Sequence, residues 1–296
     1  MLIDKIKKFY ENRYKLLMLL PILLLIGALV QIGVQTAITG DFVHKGISLK
    51  GGSTLTLNSQ QDIDPLVLES FLKENYPQAD ISVRTLTSAG TTLGLAIDTD
   101  VQENAAIQQM KEAISTKFSL NPDDLSAEIM DSALGSSFFK QTMIAIILAF
   151  VLMALVVFIY FRNFVPSLII VLCAFSDIVV TLALFNLTGM KLTTGGIAAF
   201  LMLIGYSVDT DMLLTSRVLK RKEGTIINKT YSSIKTGMTM TLTALIVVLV
   251  AMILVHNEVI KQIMLIIFIG LIVDMIMTWI QNVSLLRIYL EKKGVK

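Results

Sequence analysis

Four aspartates interrupt stretches that are otherwise apolar: Asp177, Asp209, Asp211 and Asp274. A charged carboxylate in hydrocarbon costs at least about 2.5 to 3.5 kcal/mol, so each is a candidate proton or ion relay group. Their depths follow from the helical rise of about 1.5 Å per residue. Asp177 comes eleven residues after Pro166 and Asp274 eleven after Ile263, each about 16 Å into its run. Asp209 and Asp211 precede Arg217 by eight and six residues, about 9 to 12 Å from the end of theirs. Matching cations are scarce: Arg217 and Lys235 lie near the boundary, where long side chains reach water. Some of the acids are therefore expected to be protonated, hydrogen-bonded or paired with a partner subunit. The competing reading of each is a packing group that joins helices. Gly205, Tyr206 and Ser207 add small and polar positions, with Gly205 one turn from Asp209, so a backbone could pass beside that carboxyl. Thr236, Thr239 and Thr243 form a hydroxyl stripe that could face the acids or bond back to its own helix.

The elements that position these residues are membrane spans. The 296 residues are 54% hydrophobic and 16% charged, with a mean hydropathy of +0.72, whereas soluble domains carry about 25% charged residues. Windows of about twenty residues predict six spans: Leu16 to Ile38, Thr142 to Phe161, Pro166 to Leu187, Thr194 to Ser216, Gly237 to Leu254 and Ile263 to Leu286. The first follows Lys5, Lys7, Lys8, Arg13 and Lys15, is long, lacks a small-residue cleavage pattern and reads as an uncleaved anchor. Basic residues concentrate in the N-terminal tail, at Arg162, in the loop with Arg217, Lys220, Arg221, Lys222 and Lys229, and in the tail with Arg287, Lys292, Lys293 and Lys296. The opposite short loops hold only Lys191 and Lys261. By the positive-inside rule both termini are cytoplasmic. The division expected is a tail over 1–15, a first helix over 16–38, an external domain over 39–140, five helices over 141–290 and a tail over 291–296.

The external segment reads as an α+β domain of ferredoxin-like order, β-α-β-β-α-β. Ser53 to Leu57 is a strand, and Asp64 with Pro65 caps a helix that stops before Pro77. Ile81 and Val83, then Leu93, Leu95 and Ile97, alternate as strands around a turn at Ser88 to Gly90. Asp100 and Glu103 form an expected capping box ahead of Ile107, Met110, Ile114 and Phe118 at helical spacing. Leu125 to Met130 is the last strand. Residues 40–139 hold fourteen Asp/Glu against six Lys/Arg, a net of −8, while the rest of the chain holds nine against nineteen. Such a domain repels acidic partners, or is acidic simply to stay soluble.

Several chemistries are excluded. One cysteine, Cys173, and two histidines, His44 and His256, make neither an internal disulfide nor a Cys/His metal centre. Neither Gly51-Gly52 nor Gly195-Gly196 belongs to a phosphate-binding loop. The balanced charge gives no reason to expect nucleic acid, and no metal or cofactor is expected.

Three local patterns resemble one known family. The segment Gly46-Ile47-Ser48-Leu49-Lys50-Gly51-Gly52-Ser53 is similar to its G-x-D/S-F/L-x-G-G-S/T motif, whose glycines allow a tight turn into the outer domain. Ser176-Asp177 with Thr181 resembles its H/S-D-x-x-x-T stretch. Most specific, Ile204-Gly205-Tyr206-Ser207-Val208-Asp209-Thr210-Asp211 followed by Arg217 resembles I-G-Y-S-x-N/D-D/T-T/D-x-x-x-x-x-R. The whole chain thus resembles the SecD/SecF protein-export family, in the archaeal form of its smaller subunit. Where bacterial members have N-D-T this chain has Asp209-Thr210-Asp211, an acid before the arginine is replaced by Ser216, and Met238 stands where an arginine is common, with Lys235 the nearest base.

The resemblance implies half of an RND-like bundle that pairs with a SecD-like subunit. It implies action beside a SecYE-type translocon on a translocating polypeptide, driven by a proton or sodium gradient, with lipid around it and no bond chemistry. The expected mechanism is protonation of Asp209, with Asp177 or Asp274 as relay partners, shifting helix packing and moving the outer domain. Three other classes remain open. A transporter half for lipid or small molecules requires a large apolar pocket between outer domain and membrane, and a non-conducting assembly partner tolerates neutral Asp209. An intramembrane aspartyl protease needs a carboxyl dyad sharing one water, and the Y-D and G-x-G-D pairing of that class is absent from the sequence.

Overall fold

The computed structural model describes residues 9–57, 63–88, 91–121, 124–221, 223–255 and 257–294. Lys5, Lys7, Lys8, Lys222, His256, Lys296 and turn residues 89–90 lie outside them. In chain order the elements are α1 (Tyr14–Thr39), β1 (Gly52–Leu57), α2 (Pro65–Asn75), β2 (Ile81–Ser88), β3 (Thr91–Thr99), α3 (Asn104–Phe118), β4 (Leu125–Met130), α4 (Ser132–Phe161), α5 (Phe164–Leu187), α6 (Thr194–Lys220), α7 (Ile226–Leu254) and α8 (Val259–Lys292). A single helical turn, Ile47–Lys50, precedes β1.

Among the described residues six helices, α1 and α4 to α8, are long and apolar enough to cross a membrane. Several outrun the apolar windows that predict them. The start of α4 is set by Asp131, whose side chain accepts from the Ala133 N–H, and that of α7 by Thr225, which accepts from Asn228. Hydropathy marks the hydrocarbon part of a helix, whereas the cap marks its end. About half of the apolar stretch is buried in α5, α6 and α8, against 11 to 17% in α1, α4 and α7. The first three therefore form the inside of the bundle and the others flank it.

Between α1 and α4 lies the small domain, with the element order β-α-β-β-α-β expected from sequence. Its sheet is antiparallel throughout, with strand order β2-β3-β1-β4. Leu55, Leu57 and Ile97 of the sheet pack with Leu68 and Leu72 of α2 and Ile107, Met110 and Ile114 of α3. Asp64 caps α2 as expected, accepting from the Leu66 N–H with Pro65 at the first position. The expected capping box does not form: Glu103 is the cap residue of α3 without a side-chain bond. The Asp100 carboxylate is engaged elsewhere, accepting from the Asp80 N–H at 2.9 Å.

One fastening of the domain to the bundle lies at the α5–α6 loop. The Gly46 N–H donates to the Leu192 carbonyl at 2.8 Å, and the Leu192 N–H donates to the His44 carbonyl at 2.6 Å. This ties the segment after α1 to the α5–α6 loop. Beside it Lys191 pairs with Asp80 at 2.7 Å. Gly51 has φ +86°, and a Cβ there would fall 2.3 Å from Ser132 Cα at the start of α4. The glycine motif thus brings three backbone segments together, beyond making a turn.

Two outcomes are expected. Gly51→Ala adds backbone contact to a left-handed strain of about 1 to 2 kcal/mol. It lowers the thermal unfolding midpoint in detergent more than Gly40→Ala, whose φ is also positive but whose Cβ would meet open space. Within the bundle, a Cβ at Gly237 of α7 would fall 2.3 Å from Trp279 Cζ2. Trp279 is the only tryptophan. Gly237→Ala therefore shifts the intrinsic emission maximum, while Gly205→Ala, which meets nothing within 4 Å, leaves it unchanged; equal spectra for both would refute this packing.

Candidate functional site

Helix α6 shows two faces at helical spacing. Phe200, Leu203, Ile204, Ser207, Asp211, Leu214 and Val218 are buried, whereas Ala198, Met202, Gly205, Tyr206 and Asp209 are exposed. Residues two apart on a helix lie about 200° apart, so Asp209 and Asp211 point to opposite sides. The structure brings Asp211, not Asp209, together with Asp177 of α5 and Asp274 of α8. Asp177 and Asp274, the expected relay partners of Asp209, thus lie across α6 from it, on the buried face with Asp211.

All three clustered aspartates are fully buried. The Ser207 hydroxyl donates to Asp177 Oδ2. Thr210 Oγ1 lies 3.0 and 3.1 Å from the two oxygens of Asp274, and 2.9 Å from the Ser207 carbonyl. Thr278 Oγ1 sits 3.0 Å from Asp211 Oδ1, 3.1 Å from Asp274 Oδ1 and 3.3 Å from Thr210 Oγ1. Asn282 Nδ2 donates to Asp211 Oδ1 at 2.6 Å, and Gln281 Nε2 donates to Ser176 Oγ at 3.2 Å. Among the described residues no lysine or arginine pairs with these aspartates. Asp177 Oδ1, Asp211 Oδ2 and Asn282 Oδ1 have no hydrogen-bond partner among them either. The site is a knot of carboxyls served by hydroxyls and one amide, with more acceptors than donors. No group of three or more His, Cys, Asp or Glu side chains is arranged to hold a metal ion among the described residues.

A change of helix geometry shapes this knot. Met277–Asn282 of α8 is a π-helical turn. Asp274, Thr278 and Asn282 are spaced by four, and in a regular α-helix each such step drifts by about 40°. The wider π turn takes part of that drift back, so all three contact the same carboxyl group or its neighbour. The sequence reading missed Thr210, Thr278, Gln281 and Asn282; the signal for two of them is the four-residue spacing from Asp274 in an apolar run.

The other expected residues lie elsewhere. Among the described residues nothing outside the adjoining backbone of α6 comes within 4 Å of a Cβ built at Gly205, so none of the described helices supplies the backbone expected there. Thr239 and Thr243 donate to the Lys235 and Thr239 carbonyls, both at 2.8 Å. The hydroxyl stripe thus back-bonds to its own helix rather than facing the acids. With Lys235 and Met240, these threonines line an open groove along α7. Arg217 donates to the Ser232 carbonyl at 2.8 Å and to Thr236 Oγ1 at 2.9 Å. Gly46, Gly51 and Gly52 stand at the junction with the small domain, and a Cβ at Gly52 would fall 2.2 Å from the Thr99 carbonyl oxygen.

Comparison with known proteins places this arrangement. Residues 109–292 match the family described as Protein export membrane protein SecD/SecF, C-terminal. The chain is 36% identical to the protein-export membrane protein SecF of Pyrococcus furiosus, over 99% of this chain and 97% of that protein. It is 37% identical to SecF of Methanolacinia petrolearia, over 96% and 97%. Among solved structures it is similar to SecDF, a translocon-associated membrane protein from Thermus thermophilus, with a TM-score of 0.74 and 17% identity. That likeness, one of fold, covers 96% of this chain and 38% of the longer SecDF chain. With a family match across more than half its length and relatives of this similarity end to end, the chain belongs to the SecD/SecF family of protein-export membrane proteins.

Proposed function

We propose that this multi-pass membrane protein is the SecF-type half of a two-part machine that assists protein export. In this reading it pairs with a SecD-like subunit and works beside a SecYE-type translocon on a translocating polypeptide. The proton gradient, or a sodium gradient, supplies the energy. Both termini lie in the cytoplasm and the small domain outside, as the basic loops favour.

The outward stripe of α6 carries this reading. Asp209 is exposed on a helix that crosses the membrane, beside Gly205 and Tyr206. Hydrocarbon is a poor neighbour for a carboxyl group, and such groups face a bundle interior or a water-filled path. A second membrane subunit laid on this stripe gives Asp209 that environment. Gly205 lets its backbone approach closely. The 38% of the SecDF chain that this chain spans leaves room in that fold for a second half. Protons exchanging at the Asp177, Asp211 and Asp274 cluster alter the packing of α5, α6 and α8, and Asp209 passes the change across the subunit boundary. The outer domain then moves against the polypeptide, with no bond chemistry.

The test is export of a reporter protein into vesicles holding the translocon, a SecD-like subunit and this chain, with the proton gradient imposed or collapsed. Asp209→Asn is expected to assemble normally and to reduce the gradient-dependent part of the rate by about tenfold or more. If it assembles and retains the full acceleration, the assembly-partner reading replaces this one. A second outcome checks the surface itself. Cys173, the only cysteine, is buried, so Met202→Cys offers one reactive thiol on the exposed stripe. It is expected to cross-link to the SecD-like subunit, whereas Leu187→Cys, exposed at the far end of α5, serves as the comparison. Equal yields from both sites would refute the placement.

A further inference from the structure

Thr278 occupies a position that the proton-coupled reading does not by itself explain. Its hydroxyl carries one proton, yet it lies 3.0 Å from Asp211 Oδ1 and 3.1 Å from Asp274 Oδ1. It can donate to only one of them at a time. Its third contact, Thr210 Oγ1, is another hydroxyl, whose own proton is contested by the Ser207 carbonyl and Asp274. Thr278 is fully buried, and its hydroxyl partners are side chains of three other residues. Thr230, Thr239 and Thr243 show the contrast, each bonding back to a carbonyl four residues earlier. Asp211 Oδ2 and Asn282 Oδ1, both buried, lack donors among the described residues. The shortage of hydrogens around this one hydroxyl is the shortage that one extra proton on a carboxyl relieves.

We propose that Thr278 is the positioning residue of the relay, a hydroxyl bridge through which one proton passes between Asp274 and Asp211. Asp274 in its acid form gives its proton to Thr278 Oγ1 while the threonine's own proton goes to the Asp211 carboxylate. Two O–H bonds break and two form, no electrons leave the system, and the threonine ends as it began with its hydrogen pointing the other way. Return of the proton resets it. The π turn serves this step by holding Thr278 between the two carboxyls while Asn282 anchors Asp211. Because the carboxyls belong to different helices, α6 and α8, the side that holds the proton decides which helix keeps the hydroxyl as donor. The hydroxyl so links protonation to the contact between these helices.

This inference rests on the proton-coupled reading, and its test separates the two. In the vesicle assay, Thr278→Val preserves shape and removes the hydroxyl, while Thr278→Ser keeps it. The valine variant is expected to lose about tenfold or more of the gradient-dependent rate and the serine variant less than about twofold. A parallel measurement needs no export. Infrared difference spectra of the full chain with its SecD-like subunit, taken in H2O and D2O, follow the C=O stretch of buried protonated carboxyls, with Asp274→Asn assigning the band. Thr278→Val is expected to shift that band and Thr278→Ser to restore it. If wild type shows no gradient dependence, the proton-coupled reading fails, and the infrared series alone judges the bridge. If wild type is accelerated and Thr278→Val matches it in rate and band, the bridge is overturned while the wider reading stands. Should the valine variant fail to assemble, Thr278→Ala is compared with Thr278→Ser, and equal rates and bands overturn the proposal.

Discussion

A carboxyl group inside hydrocarbon must be given donors or be covered, and the bundle is arranged around that need. Three of four intramembrane aspartates are gathered between α5, α6 and α8, the helices most buried in the structure. A cation would satisfy them by charge, but the nearest candidates are used elsewhere or face out, as with Arg217 at Ser232 and Thr236. Hydroxyls take that place. Each supplies one donor and tolerates a carboxyl in either protonation state, because it also accepts. Close packing accompanies this: a Cβ at Gly270 of α8 would fall 2.5 Å from Leu203 Cδ1 of α6, so the leucine side chain lies directly over the glycine. A lysine or arginine among the carboxyls would have favoured one charge state. A hydroxyl network leaves both states open.

How much of this was readable beforehand depends on the range of the signal. The six helices and the order of the small domain follow from local patterning: apolar runs, alternation, and the Asp64-Pro65 start of α2. The capping box failed because Asp100 had a competitor for its carboxylate, the Asp80 N–H twenty residues away in sequence. The choice between Asp209 and Asp211 was open to geometry, since two residues 200° apart cannot both face a bundle. The periodicity of Phe200, Leu203, Ser207, Asp211 and Leu214 marks the inner face, and Gly205 with Asp209 marks the outer one. The π turn had no local signal, for its sequence Met277 to Asn282 is an ordinary continuation of an apolar helix. What holds it there is the aggregate of long-range contacts: Trp279 against Gly237, Thr278 and Asn282 on the carboxyls, and the Tyr10 hydroxyl on the Trp279 carbonyl at 2.5 Å.

Two of the three helices that hold the cluster, α6 and α8, also meet where the small domain touches the α5–α6 loop. From Thr193, which caps α6, to Thr210 is about 25 Å of helix, and from Gln262 of α8 to Asp274 about 18 Å. At the far end Gln262 Oε1 accepts from the Thr193 N–H at 3.0 Å and its hydroxyl at 2.6 Å, while Gln262 Nε2 donates to the Lys191 carbonyl at 2.7 Å. Residues 191–193 are therefore bonded to both helices at this end. Those residues carry the two backbone bonds to His44 and Gly46 and the ion pair to Asp80. The contacts differ in kind. Backbone bonds under the buried Leu192 side chain are shielded from water, whereas an ion pair with both partners partly in water contributes about 1 kcal/mol or less. The small domain thus meets the bundle through one pair of shielded backbone bonds and one weak ion pair at the α5–α6 loop, beside the close backbone approach of Gly51 to the start of α4.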